Sequence, residues 1–226
     1  MVPLANLDRF TVIRAGKLMM PTLHSYIVAY DSGFAPNPFH GFCTLATCKP
    51  EIRKHAAIGD WIIGTGSNRV GIRRGGFLVH AMRVTEAITF SEYWNDPRFE
   101  KKKPNLCASY RMACGDNIYC PNEVGGWSQK NSYHSSSDGE PVKKHIDRDT
   151  SVNRVLISDD FIYYGAEGPE FPNNLKAAGL VLAGRGRKKI TAEPVIRCFE
   201  KWLSELNDIG YQGRPFDMLE EARNRK

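Results

Sequence analysis

Apolar and polar positions along this chain fall mostly into short alternating runs bounded by turn formers, with a helical period near the C-terminus. The run 24–30, with Tyr26, Ile27, Val28 and Tyr30, predicts a strand rich in β-branched and aromatic residues. It opens into a loop punctuated by Gly33, Pro36, Pro38 and Gly41. Thr47 is positioned to cap a helix over 49–57, with Pro50 in its first turn. Gly59 and Asp60 then turn the chain into a strand, Trp61-Ile62-Ile63, which stops in the small polar tip Gly64-Thr65-Gly66-Ser67. A basic connection over 69–76 leads to a long strand at 77–85. Ser91 to Trp94 begins a short helix closed by Asp96-Pro97.

Downstream, 107–126 is rich in turn formers and 127–149 is polar, which predicts loops. Two short strands, 154–157 and 161–164, flank Ser158-Asp159-Asp160, and Leu180-Val181-Leu182 predicts another before a basic turn at 184–189. Thr191 is placed to cap a helix whose first turn holds Glu193 and Pro194. Val195, Phe199, Trp202, Leu203 and Leu206 share one face of it, and Gly210 ends it. Residues 1–20 alternate weakly and predict a short helix or an arm. Short strands outnumber long helices, so the expected fold is α+β: a partly closed β-barrel with peripheral helices. One domain is expected over 1–226, with the barrel at about 22–182 and C-terminal helices at about 191–226.

With 226 residues, 42% hydrophobic and 25% charged, the composition is that of a globular protein with a sizeable core. No apolar run is long enough to span a bilayer, and the first residues do not read as a secretion signal, so a cytoplasmic location is expected. That setting makes the six cysteines reduced thiols rather than disulfides. A net charge of +6 is compatible with a nucleic-acid partner without requiring one.

A base-binding pocket needs flat aromatic faces and a few polar groups for the base edge. Phe34, Phe39, Trp61 and Tyr119 are candidates for stacking, and Ser32, Asn37, Thr65, Ser67 and Asn117 for edge reading. Gly64 and Gly66 let backbone approach a ligand closely; a packing role for Trp61 and a turn role for Asp60 are the alternatives. Asp31, Asp60 and Asp116 stand beside glycine turns and are candidate general acids or bases. Arg73, Arg74, Arg185, Arg187, Lys188 and Lys189 are candidates for phosphate contacts, or form solvated basic turns. Lys101-Lys102-Lys103 reads as a solvated run.

The tip lacks the Lys-Ser/Thr continuation of a P-loop, which argues against a nucleotide triphosphatase. The cysteine spacings lack tight CxxC pairs, and His134 with His145 and Asp147 has no recognised ligand spacing, so neither a metal nor a cofactor is expected. For nucleophilic catalysis, Cys43, Cys48 or Ser158 are available, with His40 or His55 as base and Asp60 as orienter; spacing selects none of them.

The stretch from Ile58 to Gly64, with 77–85, resembles the barrel signature of PUA-like domains, including the EVE and ASCH groups. A wider likeness runs through Tyr30-Asp31-Ser32-Gly33-Phe34, Cys43-Thr44-Leu45-Ala46-Thr47-Cys48, Gly59-Asp60-Trp61, Gly115-Asp116-Asn117 and Leu156-Ile157-Ser158-Asp159-Asp160. These segments resemble the nucleotide modification associated domain family, second type. The resemblance implies a context of DNA base modification in bacteria and phages, and no defined reaction. The expected partners are therefore nucleic acid, DNA in preference, or a nucleotide, together with other components of a DNA-modification system. The expected function is recognition of a modified base or nucleotide; the alternative is an enzyme acting on one.

Overall fold

The computed structural model describes residues 12–14, 17–68, 73–184 and 186–218. The early chain supplies β1 (Val12–Arg14), β2 (Lys17–Met19), β3 (Leu23–Ile27), β4 (Cys43–Leu45), α1 (Pro50–His55) and β5 (Trp61–Thr65). It continues with β6 (Leu78–Arg83), β7 (Glu86–Ile88), α2 (Phe90–Asn95), a 3-10 turn at Pro97–Lys102 and α3 (Tyr110–Ala113). Next come β8 (Tyr119–Pro121), β9 (Trp127–Gln129), α4 (Lys143–Thr150), β10 (Val155–Ser158) and β11 (Asp160–Tyr163). The last elements are α5 (Asn173–Ala177), β12 (Arg187–Ile190), α6 (Glu193–Leu206) and β13 (Gly210–Tyr211).

Two sheets organise this mixed α/β fold: a six-stranded one in the order β12-β3-β5-β6-β11-β13, and a three-stranded one in the order β4-β10-β7. They meet along one bent ladder. The antiparallel register that pairs Tyr163 with His80 and Asp160 with Arg83 continues in step past the corner to pair Ile157 with Glu86 and Val155 with Ile88. Asp60 fixes the entry to β5: its carboxylate accepts from the backbone N–H of Thr22 at 2.8 Å and of Ala57 at 2.9 Å, with His24 Nε2 at 3.2 Å.

Strand alternation distributes the core to both faces of the large sheet. Trp61 and Ile63 pack toward Ile196, Phe199 and Trp202 of α6, while Ile62 joins Tyr26, Met82, Leu156 and Ile52 on the other side. A third cluster, with Phe34, Phe90, Tyr93, Tyr119 and Val155, lies under the smaller sheet.

Among the described residues the sheets do not close into a barrel. β12 forms one edge of the larger sheet and carries exposed Arg187, Lys188 and Lys189, charges of the kind that blunt a sheet edge. This strand replaces the expected basic turn, and Leu180-Val181-Leu182 is not a strand. Neither predicted threonine cap forms: Lys49 precedes α1, Ala192 precedes α6, and the buried Thr47 hydroxyl has no hydrogen-bond partner. The polar middle section contains α3, the β8–β9 hairpin and α4. Lys102 is fully buried rather than solvated, its ammonium donating to Asn37 O at 2.9 Å, Asn37 Oδ1 at 2.7 Å and Phe42 O at 2.7 Å. No described helix is long and apolar enough to cross a membrane.

Candidate functional site

A cavity of about 780 Å³ opens where the end of β3 and the loop after it meet the residues just before α1 and the face of α4. Tyr26, Phe34 and Ser32 line it on the β3 side, and Cys48, Lys49, His134 and Arg148 line it opposite. Tyr30 borders it and is 68% exposed. The Lys49 ammonium lies 4.5 Å from the centre of the Tyr26 ring, and Tyr133 stacks on Phe34 at 5.8 Å.

Asp149 anchors one wall. Its side chain is wholly buried, with each carboxylate oxygen accepting two hydrogen bonds. Oδ1 takes the Cys48 backbone N–H at 2.9 Å and Arg148 Nε at 2.8 Å; Oδ2 takes Tyr119 O–H at 2.8 Å and His134 Nδ1 at 2.8 Å. Burial alone raises the Asp149 carboxyl, but the bonds from His134 and Arg148 outweigh it and hold the group well below the usual carboxylate range. A carboxylate accepts only, so the His134 proton sits on Nδ1 and the lone pair on Nε2. That lone pair faces Cys48, whose Sγ is 3.6 Å from Nε2.

Arg148 Nη2 is 3.3 Å from His134 Nε2 and 3.5 Å from Nδ1, near-equal distances that place the guanidinium over the ring face. The same nitrogen is 3.6 Å from Cys48 Sγ. Burial lowers the His134 pKa; Asp149 opposes that shift, and the charge of Arg148 adds to it. Burial raises the Cys48 thiol, with the Asp149 charge adding to it against Arg148 and Lys49. Both groups are therefore neutral at rest.

Cys48 is held in a backbone conformation that L-residues rarely adopt, with φ of 57° there and 42° at Lys49. Such geometry costs about 1–3 kcal/mol per residue and persists only when its surroundings fix it. Here both ends of the Cys48 peptide are fixed: its N–H by Asp149, its carbonyl by Arg53 Nε at 3.0 Å. Arg53 is itself fully buried and also donates to the carbonyls of Val152 at 2.8 Å, Arg154 at 2.7 Å and Asp149. The cysteine is presented by a braced turn.

The family profile of nucleotide modification associated domain 2 matches residues 20–222. The chain belongs to the nucleotide modification associated domain 2 family. No curated protein sequence and no solved structure matches it. The match spans every element from β3 to β13, and so takes in both the cavity and the glycine tip that family resemblance singles out.

Of the residues expected to bind a base in this family member, Ser32 and Phe34 reach the cavity, and Tyr119 stands behind it on Asp149. Trp61 is 2% exposed, donates from its indole N–H to Glu200 Oε1 at 3.1 Å and packs edge-on to Phe199 at 5.7 Å; it borders a recess of about 80 Å³ and does not line the larger cavity. Gly64 and Gly66 are explained by packing: a Cβ on Gly64 would lie 2.2 Å from the His80 ring, and one on Gly66 2.1 Å from Arg74 O. Thr65 is buried with its hydroxyl on Tyr26 O at 3.3 Å, and Ser67 is half-buried.

Asn37 donates to Cys114 O at 2.7 Å and accepts from Lys102, while Asn117 donates to Tyr93 O at 2.8 Å; both are interior. Asp116 accepts from Tyr93 O–H and Thr44 O–H, each at 2.8 Å, deep in the same network. Asp31 lies between two cavity residues, but its carboxylate turns to Tyr163 O–H and to the Phe216 N–H at 3.1 Å. Burial pushes it up to about 6. Asp31, Asp60 and Asp116 thus have their carboxylates committed to internal hydrogen bonds, and none lines the cavity.

Arg74 donates to Gly168 O at 2.7 Å and lies over Phe77, and Arg73 is exposed. Arg185 lies outside the described residues. Arg187 is registered opposite Tyr26, hence on the cavity side of the sheet, and reaches Glu51 at 3.2 Å; Lys188, opposite Ser25, faces the other way toward Ala178 O, and Lys189 is exposed. His134 and Asp149 contact Cys48, a grouping that spacing does not reveal. They lie 86 and 101 positions from Cys48 with no local motif between them. His134 stands out in the sequence only beside His145 and Asp147, and these two are engaged elsewhere: His145 Nδ1 pairs with His134 O at 2.8 Å, and Asp147 with Lys143 at 2.6 Å.

Proposed function

We propose that the cavity receives a nucleotide, or a modified base presented by DNA, within a DNA-modification system. The observation that carries this reading is the pairing of aromatic walls, Phe34, Tyr26 and the exposed Tyr30, with two cations, Lys49 and Arg148, around one opening. Its volume, about 780 Å³, falls in the range that small-molecule sites occupy. The aromatic side suits a base and the cationic side its phosphate. Arg187, on the same side of the sheet, extends the positive charge toward a DNA backbone. Membership of the nucleotide modification family supplies the context.

The bent ladder joining the two sheets supports a distant likeness to PUA-like barrels, with the sheet left open. Six free thiols fit a cytoplasmic setting. Titration calorimetry with the four deoxynucleoside monophosphates, and with duplexes carrying or lacking a modified base, tests the reading. Tyr30→Ala is expected to weaken the preferred ligand by about 1–3 kcal/mol. Equal, negligible binding to every ligand would sink it. A second reading, an enzyme acting on the nucleotide, is favoured by the thiol and imidazole on the cavity wall with a buried carboxylate behind them.

A further inference from the structure

We infer that Cys48 is a catalytic nucleophile that removes an acyl group from a modified nucleotide, with His134 as its general base and Asp149 and Arg148 as positioning residues. The order of contacts is that of nucleophilic catalysis: Cys48 Sγ at 3.6 Å from His134 Nε2, and His134 Nδ1 at 2.8 Å from Asp149. Cys48 and His134 border the cavity of about 780 Å³, and Cys48 stands on a turn whose backbone is fixed at both ends. Other cysteines lack this setting. Cys43 is fully buried beside Met82, with burial pushing its thiol up to about 12, and Cys107 is exposed on a loop.

With thiol and imidazole both neutral at rest, attack and proton transfer belong to one event. Sγ bonds to the carbonyl carbon of an ester or amide on the nucleotide while Nε2 takes the thiol proton. Asp149 stabilises the imidazolium, and the Arg148 guanidinium, with Nη2 3.6 Å from Cys48 Sγ and 3.3 Å from His134 Nε2, holds thiol and ring in place. The carbon–oxygen or carbon–nitrogen bond then breaks, and His134 returns the proton to the departing alcohol or amine. A water, deprotonated by His134, hydrolyses the thioester, releases the carboxylic acid and restores the thiol. No redox partner is needed.

The substrate class rests on the nucleotide reading above; the catalytic row does not. p-Nitrophenyl acetate serves as an activated ester, followed by p-nitrophenolate release and by peptide mass mapping of the acetylated residue, with and without deoxynucleoside monophosphates. Cys48 is expected to carry the acetyl group, and Cys48→Ala to lose both that adduct and the fast release. His134→Gln is expected to slow acetylation about 10²–10⁴-fold.

The groups facing His134 are Asp149, Arg148 and His145 from α4, and Cys48 from the turn before α1. Asp149→Asn removes the charge that favours the imidazolium, so the acid limb of the pH–rate profile is expected to move to lower pH as the rate falls. A merely structural Asp149 would leave that limb in place. Thermal melts of each variant separate misfolding from lost chemistry, and Cys48→Ser keeps the side-chain shape where Cys48→Ala does not fold. An unmodified Cys48, or a rate indifferent to His134→Gln in folded protein, overturns the catalytic row even where nucleotides bind. Acetylation that depends on His134 but is not slowed by any monophosphate overturns the nucleotide substrate class instead.

Discussion

The glycine tip after β5 and the cavity beside α4 are built in opposite ways. The tip is contiguous in sequence, Gly64-Thr65-Gly66-Ser67, and looks like a ligand loop; its glycines are accounted for by the His80 ring and the Arg74 carbonyl pressed against them. The cavity wall brings together Cys48 and His134, 86 positions apart, over the buried Asp149, and its polar side chains border open volume. Gly64 and Gly66 in a strand end require small side chains because something approaches closely. In this protein that something is the protein's own interior. A chemical site is better marked by polar groups whose hydrogen bonds point one another toward space than by absent side chains.

The contrast can be broken at the tip first. Trp61→Ala is expected to cost about 3–5 kcal/mol in chemical denaturation, the toll of emptying a packed indole site, while leaving nucleotide binding by the folded protein unchanged. Lost binding at full stability would return Trp61 to the site. Gly64→Ala forces a methyl group into the His80 ring and against Val28 Cγ2, and is expected to destabilise by about 1–3 kcal/mol.

His80 sharpens the same point through pH. Burial pushes its pKa down to about 3. Between that value and the ordinary 6.5 or so, the unfolded chain holds a proton that the folded chain does not, so this residue's contribution to stability falls as pH falls. Stability curves for wild type and His80→Gln at pH 6 and pH 4 are expected to differ in slope by about 1.4 kcal/mol per pH unit, the wild type being the steeper. Parallel slopes would mean that the ring is not held neutral. The smallest effect belongs to Ser67→Ala, expected to stay within about 0.5 kcal/mol in stability and to leave nucleotide affinity unchanged. A tenfold loss of affinity there would move the ligand to the tip.

Much of the scaffold was legible because it depends on local alternation. The strands at 23–27, 61–65 and 78–83, the pair around Asp159 and the apolar face of α6 all follow from patterns a few residues long. Errors arose where a distant partner decides. Lys102 looks solvated beside Lys101 and Lys103, yet carbonyls from Asn37 and Phe42 draw it inside. Arg187, Lys188 and Lys189 look like a turn, yet β3 offers them an edge to pair with. At the site, Cys48 is one of three available nucleophiles, with His40 or His55 as base, and spacing selects none of them. His40 lies on a separate wall near Arg111 and Tyr211, and His55 bonds Glu51 O at 2.8 Å on the surface of α1. Asp149 comes to the cysteine on α4, which packs against α1, and His134 comes from the loop before α4, held by its bond to Asp149.

The cavity and the glycine tip are alternative places for the proposed nucleotide. The most direct test is therefore a crystal structure of the protein soaked with deoxynucleoside monophosphates. The account predicts density in the cavity, with a base beside Tyr30 and Phe34 and a phosphate toward Lys49 and Arg148, within reach of Cys48. Density beside Gly66 and Ser67, with the Cys48 cavity left empty at saturating nucleotide, would contradict it.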